Sequence, residues 1–427
     1  MYPIKINQKL LNLELFSQAK RNELLRNAQD TQATVICLCH EGRGLLPPQA
    51  PLRLTPVRGE PNYHLRRNGS DAGSHHENCR HGSFNANRLA TYGLTENALR
   101  IDDEGGMHIN LDFGIADNDT REKSSTVGQH KHSTGRVTET RSRASLLGLL
   151  HFLWTHANLN CFNPDVPEAV HGPFERLRQV ARRTYPGAQM NSRKNYGLSD
   201  ILLLPQDTAP NQANRNYAKL CDANGRRRVM FVCKLNPELL HNRNGGGYAN
   251  LHGQFGVRVT IHGDVIDLML TQYPTERAAL KVGAEVIAFG VAKVSEYQPG
   301  RMAATVERIA LMGVSESYVP VESSHERELA QRLEQMGRIF VKPLRHDTSE
   351  PTRPDFILLD TPRPVSLEVY GMNTPEYLQR KAEKTAYYTA EFVGKYWQWD
   401  VLSESLEVAL CRLPQPFQLV DKMAVKQ

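Results

Sequence analysis

Two carboxylates in the last quarter of the sequence stand where a hard cation could be held. Asp355 immediately precedes the apolar run FILLD, and Glu368 lies inside the next such run, SLEVYGM, with the Pro-containing turn TPRP between them. Paired as a hairpin, the two runs bring both side chains to one end of a sheet. Acidic oxygens converging there suit Mg2+ (or Mn2+), which activates a water and stabilises the leaving group of a phosphodiester. Glu326, in the preceding amphipathic segment SSHERELAQRL, is a candidate third acid. Such a site also needs a cation beside the attacked phosphate. Tyr377, Arg380 and Lys384 recur at i, i+3 and i+7 of one long helical segment and so share a face, with Lys381 next to them.

A second constellation lies near the N-terminus. Cys37 and Cys39 are separated by one residue in a strand-like run, which puts both thiols on one face. Further on, in SHHENC, His75 stands four residues before Cys79. Three thiolates and one imidazole form the set that holds structural Zn2+ tetrahedrally, with no position left open for a water. His76 and His40 are alternatives to His75, and a region this poor in apolar residues needs a staple. The HKH triplet at His130 to His132 reads as solvated loop histidines.

These groups need elements to place them. Residues 1–30 carry a helix with Leu13, Phe16, Leu24 and Leu25 as its apolar positions, and a small ribbon follows around ATVICLC and NYHLRRN. Residues 117–143 are polar without apolar period. SLLGLLHFLWTHANL reads as a buried helix and FERLRQVARRTYP as a second helix with a basic face. Short β-like runs (ILLLP, RRVMFVCKL, QFGVRVTI, DVIDLML, EVIAFGVAKV, MAATVERIALM) with Gly-rich turns predict a small antiparallel sheet or barrel over 198–314. From about Pro320 the order is helix, three strands, a long helix opened by Pro375, then strand, with LEVALCRL as a further strand.

Residues 323–396 resemble the PD-(D/E)xK nuclease superfamily. Pro354-Asp355 matches its "PD" and Glu368 its second acid. The lysine expected two residues after that acid is replaced by Tyr370. The sequence is similar to branches in which the lysine has moved to the following helix. The resemblance then implies Lys384 in the lysine's role, with Lys381 as second choice, and Glu326 as the acid of the first core helix. The whole chain also resembles an uncharacterised bacterial family of plasmids and integrative elements, sharing the C-x-C…H-x-x-x-C motif, the SLLGLLHFLWTHANL helix and the run GRIFVKPLRHD. That context implies protein partners in a conjugation or defence assembly.

The expected architecture is therefore an α+β multidomain chain. It comprises an N-terminal helix and zinc-stapled β module (1–115), a flexible linker or loop (116–143), a helical segment (144–197), a β-rich domain (198–319) and a restriction-endonuclease-like α/β domain (320–427). The expected function is metal-dependent hydrolysis of phosphodiester bonds in DNA. The alternative is a catalytically inactive nucleic-acid-binding accessory protein that keeps the fold. Tyr377, Arg380 and Lys381 would contact nucleic acid, and RLRQVARR and GRRR could grip its backbone.

The composition fits this reading. The chain of 427 residues is 40% hydrophobic and 23% charged, enough for real cores and too apolar for a disordered protein. Its net charge of +6 tolerates a nucleic-acid partner without demanding one. Seven cysteines are too few for a disulfide scaffold of this length, and Cys161, Cys221, Cys233 and Cys411 read as core or incidental thiols. No run approaches the ~20 apolar residues of a membrane span, and the first residues do not read as a secretory signal. No membrane partner and a cytoplasmic location are expected. No P-loop or GxSxG motif is present.

Overall fold

The structure is a computed structural model. It describes residues 4–7, 9–11, 18–37, 50–56, 63–67, 99–101, 106–111, 113–115, 144–164, 172–186, 196–237, 247–344, 354–361, 364–391 and 396–416. The fold is mixed α and β, with several separate sheets. The described residues group into two compact units: the first holds those among residues 1–88 together with 163–164, and the second holds the remainder.

The first unit is an antiparallel five-stranded sheet in the order Lys9–Leu11, Ile4–Ile6, Val35–Cys37, Ala50–Pro56, Tyr63–Arg67, with the helix Gln18–Asp30. Its core is small: Ile4, Leu25, Val35, Cys37 and Leu52, flanked by Ile6, Leu24, Leu54, Tyr63 and Leu65. Cys37 ends its strand inside this apolar cluster, where a thiol packs as a small hydrophobe. Cys39, His40, His75, His76 and Cys79 lie outside the described residues, as do His130 to His132.

The second unit is built around a six-stranded sheet in the order Leu202–Leu203, Val229–Lys234, Val286–Gln298, Arg301–Gly313, Arg258–His262, Tyr248–Asn250. Alternate residues of its strands enter two different cores. Met230, Val232, Ile287, Phe289 and Val291 pack with the helix Leu146–His156, whereas Phe231, Cys233, Ala288 and Ala292 pack with the helices Gln212–Ala223 and Gly263–Gln272. Apolar cover on both faces explains strands that read as continuous hydrophobic runs. The anticipated antiparallel sheet or barrel is instead an open mixed sheet, with parallel pairs at Leu202↔Met230 and Val259↔Ala304. DVIDLML is helical, with Ile266 and Met269 buried three residues apart.

The C-terminal sheet carries the acids. It contains β1 (Cys161–Phe162), β2 (Phe340–Val341), β3 (Phe356–Leu358), β4 (Val365–Tyr370) and β5 (Tyr396–Asp400), in the spatial order β5-β4-β3-β2-β1. Helix α1 (Ser324–Gln335) precedes β2, α2 (Pro375–Glu391) crosses over from β4 to its parallel neighbour β5, and α3 (Leu406–Leu410) closes the chain. The run LEVALCRL is thus a short helix rather than a strand. One face of the sheet presents Phe340, Phe356, Leu358, Leu367, Trp397 and Trp399 to Leu329, Ala330 and Leu333 of α1 and to Leu406 and Ala409 of α3. β1 comes from far upstream and joins β2 as the edge strand. Among the described residues, no helix is long and apolar enough to cross a membrane.

Candidate functional site

Pairing of β3 with β4 brings the two carboxylates together. The register sets Phe356 opposite Leu367, and the Asp355 N–H donates to the Leu367 carbonyl at 3.0 Å, so Asp355 faces Glu368 as the next cross-strand pair. Such neighbours carry Cβ atoms about 4.5–5.5 Å apart. Asp355 Oδ2 also accepts from the Val369 N–H at 2.8 Å, which fixes the carboxylate at the strand end. Glu368 is 1% exposed. Its two oxygens accept from Lys384 Nζ at 3.1 and 2.9 Å, so the ammonium from α2 reaches the acid in the strand.

On the other side of Asp355, α1 begins. Ser323 caps it by accepting from the Glu326 N–H at 3.1 Å, and Glu326 Oε2 accepts from the Glu322 N–H at 2.9 Å. The same Oε2 accepts from Lys342 Nζ at 2.7 Å. Lys342 follows β2 directly. Its ammonium lies 3.9 Å from Asp355 Oδ1, 3.9 Å from Glu322 Oε1, and 5.3 Å from the centre of the Phe356 ring. Its backbone is held on both sides by Asn160: Lys342 N–H donates to the Asn160 carbonyl and Asn160 Nδ2 donates back to the Lys342 carbonyl, each at 2.8 Å. Lys342 therefore stands between Glu326 and Asp355, and Lys384 closes the other end of the site on Glu368.

Burial sets the acidities. Removal from water raises Asp355 to about 6; the charges of Lys342 and Lys384 and the Val369 N–H pull the other way, while Glu368 adds to the rise. Glu326 and Glu368 are raised first of all by burial, each opposed by its lysine. Burial alone would lower Lys342, but the carboxylates of Glu326, Glu322 and Asp355 outweigh it and hold the ammonium protonated.

The other residues singled out in the sequence have structural partners. Tyr370, where a lysine was expected, is 3% exposed, and its hydroxyl lies 3.0 Å from that of Tyr396, which donates to Gln398 Oε1 at 2.9 Å. The Tyr377 hydroxyl accepts from the Gly371 N–H at 3.2 Å and donates to the Val369 carbonyl at 3.4 Å, clamping the end of β4. Lys381 pairs with Asp400 Oδ2 at 2.5 Å and sits 4.9 Å above the Tyr370 ring. Tyr377, Lys381 and Lys384 thus contact the sheet together; the Arg380 side chain lies outside the described residues. In GRRR, Arg227 and Arg228 are buried and paired with Asp222 and Glu307, so they cannot grip a phosphate backbone.

Lys342 is the residue that sequence reasoning missed. Its signal is a cation placed inside the apolar stretch IFVKPL. Among the described residues, no group of three His, Cys, Asp or Glu side chains is spaced to hold a metal ion. The adjacent acids are the pair Asp355 and Glu368, with Lys342 standing between Asp355 and Glu326.

A family model described as "Protein of unknown function (DUF1173)" matches residues 12–402, and the chain belongs to that family. No curated protein and no solved structure matches it.

Proposed function

We propose that the chain is a divalent-cation-dependent nuclease that hydrolyses phosphodiester bonds in DNA at the Asp355–Glu368–Lys384 site. The observation that carries this reading is the cross-strand apposition of Asp355 and Glu368, with an ammonium delivered to it by the following helix. The pair suits a hard cation. The acidity of Asp355 is weakened to about 6 by burial and like charge, a penalty that a further positive charge relieves, and Lys384, 30% exposed, can release Glu368 and stay solvated when the cation binds. Mg2+ or Mn2+ held by Asp355 and Glu368 would supply Lewis-acid polarisation of the phosphodiester and a more acidic water.

The remaining work belongs to the chain. The Val369 N–H keeps Asp355 aimed along the strand end, and Tyr377 secures the backbone beside it. Lys384 brings a positive charge to the place where negative charge develops on the attacked phosphate. Tyr370, with its hydroxyl tied to Tyr396, fills the vacated lysine position as packing. The resemblance of the sequence to proteins of plasmids and integrative elements supports a conjugation or defence setting with protein partners.

The test is cleavage of plasmid and single-stranded DNA with Mg2+ or Mn2+ by the wild type, Asp355→Ala and Lys384→Ala. Cutting that both substitutions abolish in folded protein supports the nuclease. A wild type that stays silent yet binds DNA in EDTA favours the non-catalytic binding protein, for which Tyr370 in the lysine position is the supporting observation.

A further inference from the structure

Resting on that reading, we infer that Lys342 is the resident cation of the site: its ammonium is bound to Oε2 of Glu326, so the site takes one divalent ion, on Asp355 and Glu368, and not a second. Glu326 then acts through Lys342 as a positioning residue rather than as a metal ligand.

Three observations carry this. Lys342 is 1% exposed, and its main chain is fixed on both sides by Asn160, so the ammonium is delivered to one place rather than swinging in from solvent. Glu326 Oε2 is committed twice, to Lys342 Nζ and to the Glu322 N–H, at 2.7 and 2.9 Å. Glu326 gives up this partner only by stranding an ammonium that is 1% exposed, whereas the Lys384 ammonium on Glu368 is 30% exposed and can turn to solvent. The charges also close: the carboxylates of Glu322, Glu326, Asp355 and Glu368 against the ammoniums of Lys342 and Lys384 leave two negative charges, which is the charge of one divalent ion. A second such ion would make the cluster as positive as it was negative.

Lys342 stands 3.9 Å from Asp355 Oδ1, beyond a hydrogen bond but near enough to act by charge on that carboxylate. It supplies permanently, on the Glu326 side, the compensation that a second metal ion brings elsewhere.

The experiment is calorimetric titration of the full chain with Mn2+ alone at pH 8, for the wild type, Glu326→Gln, Asp355→Asn, Lys342→Met and Lys342→Arg. The wild type is expected to take up one ion at this site. Glu326→Gln keeps that stoichiometry with affinity within about threefold, whereas Asp355→Asn weakens it by roughly tenfold or more. Lys342→Met frees the Glu326 carboxylate and takes up a second ion; Lys342→Arg does not. The inference is overturned if Glu326→Gln weakens Mn2+ as much as Asp355→Asn does, or if the wild type takes up two ions that both depend on Glu326. A folded wild type that takes up no Mn2+ at all overturns the nuclease reading itself, a distinct result. Should Lys342→Met fail to fold, Glu326→Gln, which preserves shape and hydrogen bonding, decides alone.

Discussion

At the residue scale the molecule carries a buried, only partly compensated acid where its chemistry is proposed. Asp355 is raised from its ordinary 3.8 to about 6, chiefly by burial. A carboxyl raised on folding binds more protons in the folded than in the unfolded chain between those two values. Stability therefore falls as pH rises through that window, and the cost, on the order of 2–3 kcal/mol, is fully present above pH 6 and absent below about 3.8. Asp355→Asn removes it. Without divalent ion, the variant should melt several degrees above the wild type at pH 8 and level with it near pH 4. A variant less stable than the wild type at pH 8 would show that the carboxylate is a stabilising partner and not a poised ligand. Asp355 before one apolar run, Glu368 inside the next and Lys384 on the face of a long helical segment are readable from the sequence as residue types. Lys342 is legible only as a cation inside an apolar run; what fixes it, the bond between its backbone and Asn160, 182 positions away, leaves no local trace.

At the scale of elements, legibility followed length and period. The long strands Val286–Gln298 and Arg301–Gly313 and the order α1-β2-β3-β4-α2-β5 were readable from apolar patterning. DVIDLML and LEVALCRL were not, because a short apolar run serves a helix or a strand equally and only packing partners decide. Packing also explains one position in the long hairpin. A Cβ on Gly290 would stand 2.2 Å from Phe231 Cζ and 2.9 Å from the Arg308 carbonyl, so the strand crosses a phenyl ring where no side chain fits. Gly290→Ala should destabilise by about 1–3 kcal/mol through overpacking, read as a lower thermal midpoint with unchanged secondary structure. A neutral effect would mean that Phe231 has room to move, which its burial and its edge contact with Phe255 argue against.

For the molecule as a whole, the site is not the property of its C-terminal stretch. A boundary at residue 320 looks natural in the sequence, where the β-rich composition gives way to helix and strand. In the structure it severs two supports. The edge strand β1 pairs with β2 through Phe162↔Phe340 and Cys161↔Val341, and Phe162 packs its ring 5.7 Å from that of Phe340. Asn160, just before it, holds both backbone groups of Lys342. Upstream again, Trp154 Nε1 donates to the Tyr318 carbonyl at 2.9 Å, tying the buried helix Leu146–His156 to the segment that leads into α1. A chain reduced to residues 320–427 would uncover the β2 edge and leave the Lys342 backbone to water, loosening the ammonium that Glu326 and Asp355 face. Such a fragment is expected to show no cooperative thermal transition and no Mn2+ uptake. If it melted cooperatively and bound Mn2+ with the affinity of the full chain, β1 and Asn160 would be ornaments of the sheet, and the placement of Lys342 would have to come from β2 and α1 alone.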